Sequence, residues 1–137
     1  MKSKLPFTII IADDDDDDRE EMNSVFTRDK NFEVTKTFDS GIDAIKEIMV
    51  RKNIPNVLLI DMYMPMLTGT EIIKKLIESE AAPDMYKFII STTINTSEQN
   101  KYRNEAKVKF INKPITADDV ARLPEIILNH IQNDTKK

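Results

Sequence analysis

The 137 residues carry 20 basic and 24 acidic side chains, a formal net charge of −4, with 40% hydrophobic residues and no cysteine. That length suits one domain around one substantial core. The missing cysteines exclude disulfides, thiolate chemistry and Cys-based zinc sites, and the scattered basic residues give no case for nucleic-acid binding.

The opening MKSKLPFTIIIADD has two lysines and an apolar stretch that acid ends after about seven residues, without a small-residue cleavage site, which argues against a signal peptide. No apolar run reaches the roughly 18 to 20 residues that cross a bilayer, so a cytoplasmic chain that does not enter a membrane is expected. The run FTIIIA (7–12) reads as a first strand. Six aspartates follow it, Asp13 to Asp18, and without them the chain would hold 18 acidic against 20 basic residues, so the acidity sits at one point. A helix is expected next, with Met22, Val25 and Phe26 on one face. FEVTKTF (32–38) reads as the second strand, followed by helical spacing at Ile42, Ile45, Ile48 and Met49. NVLLID (56–61) is the third strand, with Ile72, Ile73, Leu76 and Ile77 lining the helix after it.

YKFIIS (86–91) is the fourth strand. The polar stretch TSEQNKYRNEAK behind it offers only Tyr102 and Ala106 as core contacts, so a loosely held helix is expected there. VKFIN (108–112) is the fifth strand. A last helix from about Thr116 carries Val120, Leu123, Ile127 and Ile131, with Pro124 marking a kink or a late start. One domain over 1–137 is expected, its core about 6–132 and its tail 133–137 frayed.

Strands alternating with helices imply an α/β fold, a parallel sheet covered on both faces. In such doubly wound sheets chemistry sits at the carboxyl ends of the strands. Strand one is followed by Asp13, Asp14 and Asp15; strand three ends in Asp61; strand four ends in Ser91 and Thr92; strand five is followed by Lys113 and Pro114. Carboxylates converging there repel one another unless a cation offsets them or a pKa rises. Magnesium, which takes few protein carboxylates and favours phosphate oxygens, is the natural cation. A carboxylate can also act as nucleophile toward phosphorus, with a lysine and a hydroxyl to neutralise and orient the phosphoryl group. Asp16 to Asp18 fit a different role, as caps and dipole partners at the start of the first helix. Asp15 stands between the two sets.

Taken together, the strand-DD, the Asp61-Met-Tyr-Met-Pro65 run with Gly69 and Glu71, the strand-end hydroxyl and Lys113-Pro114 resemble the receiver domain of two-component response regulators. The resemblance covers about residues 6 to 132. It implies a flavodoxin-like (βα)5 fold with a five-stranded parallel sheet in the order 2-1-3-4-5. It implies that Asp61 accepts phosphate from a phosphohistidine on a sensor histidine kinase or a His-phosphotransfer protein. By the same resemblance Asp13 and Asp14 organise Mg2+, with Asp61 and the backbone carbonyl of Tyr63 as further ligands. Lys113 and Ser91 contact the phosphoryl group, and the bond before Pro114 is commonly cis. Phe110 takes the aromatic switch position, and phosphorylation alters the surface of the fourth helix, fifth strand and last helix (α4-β5-α5 in the family's pattern) for an effector protein.

The chain departs from the pattern at Ala106-Lys107, where Gly-Ala is usual, at Phe110 in place of Tyr, and at Ser91 in place of Thr. The expected protein is a stand-alone receiver, monomer or weak dimer, that turns over no substrate beyond its own phosphoryl group. Two rivals are a magnesium-dependent phosphatase of haloacid-dehalogenase type and a receiver-like binding module that is never phosphorylated. His130, on the last helix, reads as structural rather than as a phosphodonor.

Overall fold

The computed structural model describes residues 5–135. Five strands and six helices alternate along them: β1 (Phe7–Ala12), α1 (Asp16–Arg28), β2 (Phe32–Phe38), α2 (Gly41–Met49), β3 (Val57–Asp61), α3 (Gly69–Ser79), β4 (Tyr86–Ser91), α4 (Thr96–Lys101), β5 (Val108–Asn112), α5 (Ala117–Ala121) and α6 (Leu123–Thr135). The sheet is parallel throughout, in the order β2-β1-β3-β4-β5. This is the flavodoxin-like arrangement expected from the sequence.

Period-two alternation sends each strand's side chains to opposite faces. Ile9, Ile11, Leu59, Phe88 and Ile90 join Met22 and Phe26 of α1 and Leu123, Ile127 and Ile131 of α6 in one core layer. Ile10, Leu58, Ile60 and Ile89 join Ala44 and Ile48 of α2 and Ile72, Ile73 and Leu76 of α3 in the other. Each such aliphatic or aromatic side chain removed from water contributes roughly 1.5–3 kcal/mol before ordering costs. The sheet is thereby clamped from both sides, and its carboxyl edge is left as the place where loops meet.

Pro124 splits the last expected helix in two. It has no N–H to donate, and its ring crowds the carbonyl four residues back, so α5 stops at Ala121 and α6 restarts with Pro124 in its first turn. The tail expected to fray stays helical to Thr135, with Asp134 accepting a 2.7 Å hydrogen bond from the Tyr86 hydroxyl. Lys136 and Lys137 lie outside the described residues. α4 ends after six residues and none of them is buried. Ala106, expected in the core, is exposed because the chain leaves the helix at Lys101; Tyr102 is half-buried against Phe110.

One buried acid was not foreseen. Glu47 lies inside α2, its side chain 3% exposed, with Lys36 at 3.2 Å and Arg51 at 3.0 Å. Asn53 donates to it at 2.7 Å. The Asn53 hydrogen bond, then those from Arg51 and Lys36, outweigh burial and hold the carboxyl near 2 instead of 4.5. A folded pKa below the unfolded one gives stability that is present above pH 4.5 and is lost as pH falls toward about 2. Thermal unfolding of Glu47→Gln should therefore show a smaller drop across that acid range than the wild type. An unchanged slope would remove Glu47 from the acid response.

Candidate functional site

β1 delivers its carboxylates to the sheet edge in a fixed order. Asp13 still belongs to the sheet, its N–H donating to the Phe38 carbonyl at 3.0 Å, and its side chain is fully buried. Oδ1 accepts from the Asp15 N–H at 2.9 Å. Oδ2 is buried without a well-directed hydrogen bond and faces the Lys113 ammonium at 3.1 Å. Asp14 is exposed beside it. Asp15 is settled by a hydrogen bond: its Oδ1 accepts from the Asp18 N–H at 2.9 Å, making it the N-cap of α1. Asp16 to Asp18 form the helix's first turn, as expected.

β3 ends at Asp61, which is 5% exposed. One carboxylate oxygen each from Asp13, Asp14 and Asp61 lie within 4.8 Å of one another. The Lys113 ammonium reaches across from the end of β5 to Asp61 Oδ1 at 3.3 Å. The backbone N–H of Lys113 donates to the Ser91 carbonyl at 2.8 Å, which fixes where that side chain starts.

Two other expected residues, Ser91 and Phe110, are paired with groups other than these carboxylates. Ser91 is buried at the end of β4, and its hydroxyl closes a local turn, donating to the Thr93 carbonyl at 2.6 Å and accepting from the Thr93 N–H at 3.2 Å. Phe110 is half-buried with its ring 6.3 Å from that of Tyr102. Tyr63, two residues past Asp61, leaves its side chain 54% exposed. The bond before Pro114 is not cis; among the described residues the one cis peptide precedes Pro6.

From the sequence, Asp18 is expected at the helix start alone. Its carboxylate also lies 3.0 Å from the Lys113 ammonium. The available signal was its place three residues after the cap, since side chains in a first turn lean back toward the helix N-terminus and here toward the strand ends.

The electrostatics follow from burial and crowding. Asp61 is pushed from 3.8 up to about 6, by burial first and by the charge of Asp13 second, against the opposing pull of Lys113. Burial raises Asp13 as well, again against hydrogen bonds and Lys113. Lys113 moves the other way: burial alone would lower it, but the Asp18 hydrogen bond and the charges of Asp13 and Asp61 hold it protonated. Three hard oxygen donors at one point, with Asp13 Oδ2 buried without a directed hydrogen bond, fit a small divalent cation such as Mg2+.

Residues 9–123 match the family model of the response regulator receiver domain. The chain belongs to that family. This receiver domain is 31% identical over 101 residues to two-component response regulator ORR5 of Oryza sativa subsp. japonica, 74% of either chain being covered. It is 30% identical over 122 residues to protein-glutamate methylesterase/protein-glutamine glutaminase 5 of Myxococcus xanthus, covering 88% of this chain and 34% of that one. The receiver thus matches about a third of that longer enzyme. In fold it is similar to a CheY-like response regulator receiver domain protein from Methanospirillum hungatei, with a TM-score of 0.76 at 22% identity and 97% and 98% of the two chains covered.

Proposed function

We propose that this receiver domain takes a phosphoryl group onto Asp61 from a phosphohistidine of a sensor histidine kinase or a His-phosphotransfer protein. The observation that carries this reading is the convergence of Asp13, Asp14 and Lys113 on Asp61, a buried acid at a strand end. Mg2+ bound by Asp13, Asp14, Asp61 and the Tyr63 carbonyl would neutralise charge on the transferring group. An Asp61 oxygen attacks phosphorus as the phosphorus–nitrogen bond breaks, and the imidazole departs with the bonding pair. The Lys113 ammonium, already 3.3 Å from Asp61 Oδ1, moves onto a phosphoryl oxygen. Slow hydrolysis of the acyl phosphate resets the domain, and no other substrate is turned over.

The new dianion also offers Ser91 a stronger acceptor than the Thr93 carbonyl. Turning its hydroxyl releases the loop between β4 and α4, where no buried α4 side chain resists movement. Phe110 then repacks beside Tyr102, and the face formed by α4, β5 and α6 changes for an effector protein. α6 here stands for the fifth helix of the expected pattern. Among the described residues no helix is long and apolar enough to cross a membrane. We place the domain, over 1–137, in the cytoplasm as a monomer or weak dimer.

The test is incubation with acetyl phosphate and Mg2+. Intact-mass spectrometry should show one added phosphoryl group on the wild type and none on Asp61→Asn. Equal labelling of the variant would sink the acceptor assignment.

A further inference from the structure

The Lys113 ammonium is divided among three carboxylates: Asp18 at 3.0 Å, Asp13 at 3.1 Å and Asp61 at 3.3 Å. Two of these, Asp13 and Asp61, belong to the oxygen cluster that fits a divalent cation; Asp18 does not. A cation in that cluster therefore competes with Lys113 for Asp13 and Asp61 and leaves Asp18 uncontested. The exposures follow the same division, 0% and 7% for the side chains of Asp13 and Asp61 against 44% for Asp18.

The geometry of α1 singles out this one aspartate. Asp16 in the same turn is 76% exposed and pairs with Arg19 at 2.6 Å. Asp17 is exposed. Asp18 alone of the three reaches Lys113, while its own N–H is tied to the Asp15 cap at 2.9 Å. Its backbone is thus anchored by the cap and its carboxylate stands on the outer side of the ammonium.

We propose that Asp18 is a positioning residue, a holding carboxylate that takes the Lys113 ammonium when a divalent cation enters between Asp13, Asp14 and Asp61. Two consequences follow. The cation meets less competition, because Lys113 has somewhere to go. The ammonium is also kept beside Asp61, within a side chain's swing of an incoming phosphoryl oxygen, instead of being repelled into solvent. Removing Asp18 leaves Lys113 on Asp13 and Asp61, where it opposes the cation. This rests on the reading of Asp13, Asp14 and Asp61 as the cation site, and extends it to a residue outside that site.

Calorimetric titration of the unphosphorylated chain with Mg2+ alone tests the idea. Asp18→Asn should weaken Mg2+ binding about fivefold, the size of one partly exposed charge pair. Asp17→Asn removes the same charge from the same helix turn and should change it far less. In a Lys113→Met background the effect of Asp18→Asn should disappear, because the lysine transmits it. An equal loss from Asp17→Asn, a loss that persists without Lys113, or no loss at all would overturn the proposal. Should Lys113→Met prove too unstable to titrate, the comparison of Asp17→Asn with Asp18→Asn decides alone. Any of those failures leaves labelling of Asp61 by acetyl phosphate intact, whereas a wild type that binds no Mg2+ fails the underlying reading instead.

Discussion

In the absence of metal, Asp61→Asn is expected to unfold at a higher temperature than the wild type at pH 7. Asp61 has its carboxyl raised from 3.8 to about 6, burial being the main cause and the Asp13 charge the next. A folded pKa above the unfolded one gives stability that is complete below pH 3.8 and is lost as pH rises through about 6. A carboxyl moved that far carries about 3 kcal/mol of linked free energy. Asparagine fills the same space without the charge but gives up attraction to Lys113, so the net gain should be about 1–3 kcal/mol. That corresponds to a rise of several degrees, at about 2–8 °C per kcal/mol. Differential scanning calorimetry across pH 4 to 7 should show the wild type losing stability over the range from 3.8 to about 6, and the variant should not follow it. Mg2+ should then raise the wild-type temperature and leave the variant nearly unmoved. A metal-free variant less stable than the wild type at pH 7 would mean that Lys113 already compensates the buried charge. The expected result would mark Asp61 as a place where folding free energy is given up for function.

The central strands were legible because parallel strands buried on both faces are short, nearly continuous apolar runs; FTIIIA and YKFIIS fall on β1 and β4 residue for residue. The edge where the site residues gather was legible for the same reason, since the last residue of each strand could be counted. What stayed hidden depended on distance and rotamer. A run of identical aspartates left Asp15 between strand end and helix, and the bonds from the Asp18 N–H to its side chain and from the Arg19 N–H to its carbonyl make it the cap. The Asp18–Lys113 pair joins opposite ends of the chain. Glu47 stands out in no sequence pattern, because Lys36 on β2 and Asn53 in the following loop converge on it only in the fold. Ser91 was placed correctly along β4, but its hydroxyl direction is set by the loop to Thr93, which strand periodicity does not encode.

The second large effect is expected at a glycine. Gly69→Ala should destabilise the domain by about 1–3 kcal/mol and slow phosphorylation of Asp61 by tenfold or more, on the order of what a displacement under 1 Å does to a reacting geometry. Gly69 opens α3 with its N–H donating to the Met62 carbonyl at 2.8 Å. A methyl group there would lie 2.7 Å from the Asp61 carbonyl oxygen and 3.1 Å from the Met62 Cα, both backbone atoms of the segment that carries Asp61. They can yield only by moving Asp61 or α3. The other glycine is the control. A methyl on Gly41 would meet Ile72 Cγ1 at 2.8 Å and the Met64 Cε at 3.1 Å, side-chain atoms rather than backbone, though Ile72 is fully buried. Alanine also favours a helix over glycine by up to about 1 kcal/mol at either position. Gly41→Ala should still lose stability by crowding Ile72 but keep a labelling rate close to wild type. A labelling rate slowed equally at the two positions would show that crowding side chains disturbs Asp61 as much as crowding its backbone does, and the close approach of Gly69 would then have no special part in holding Asp61.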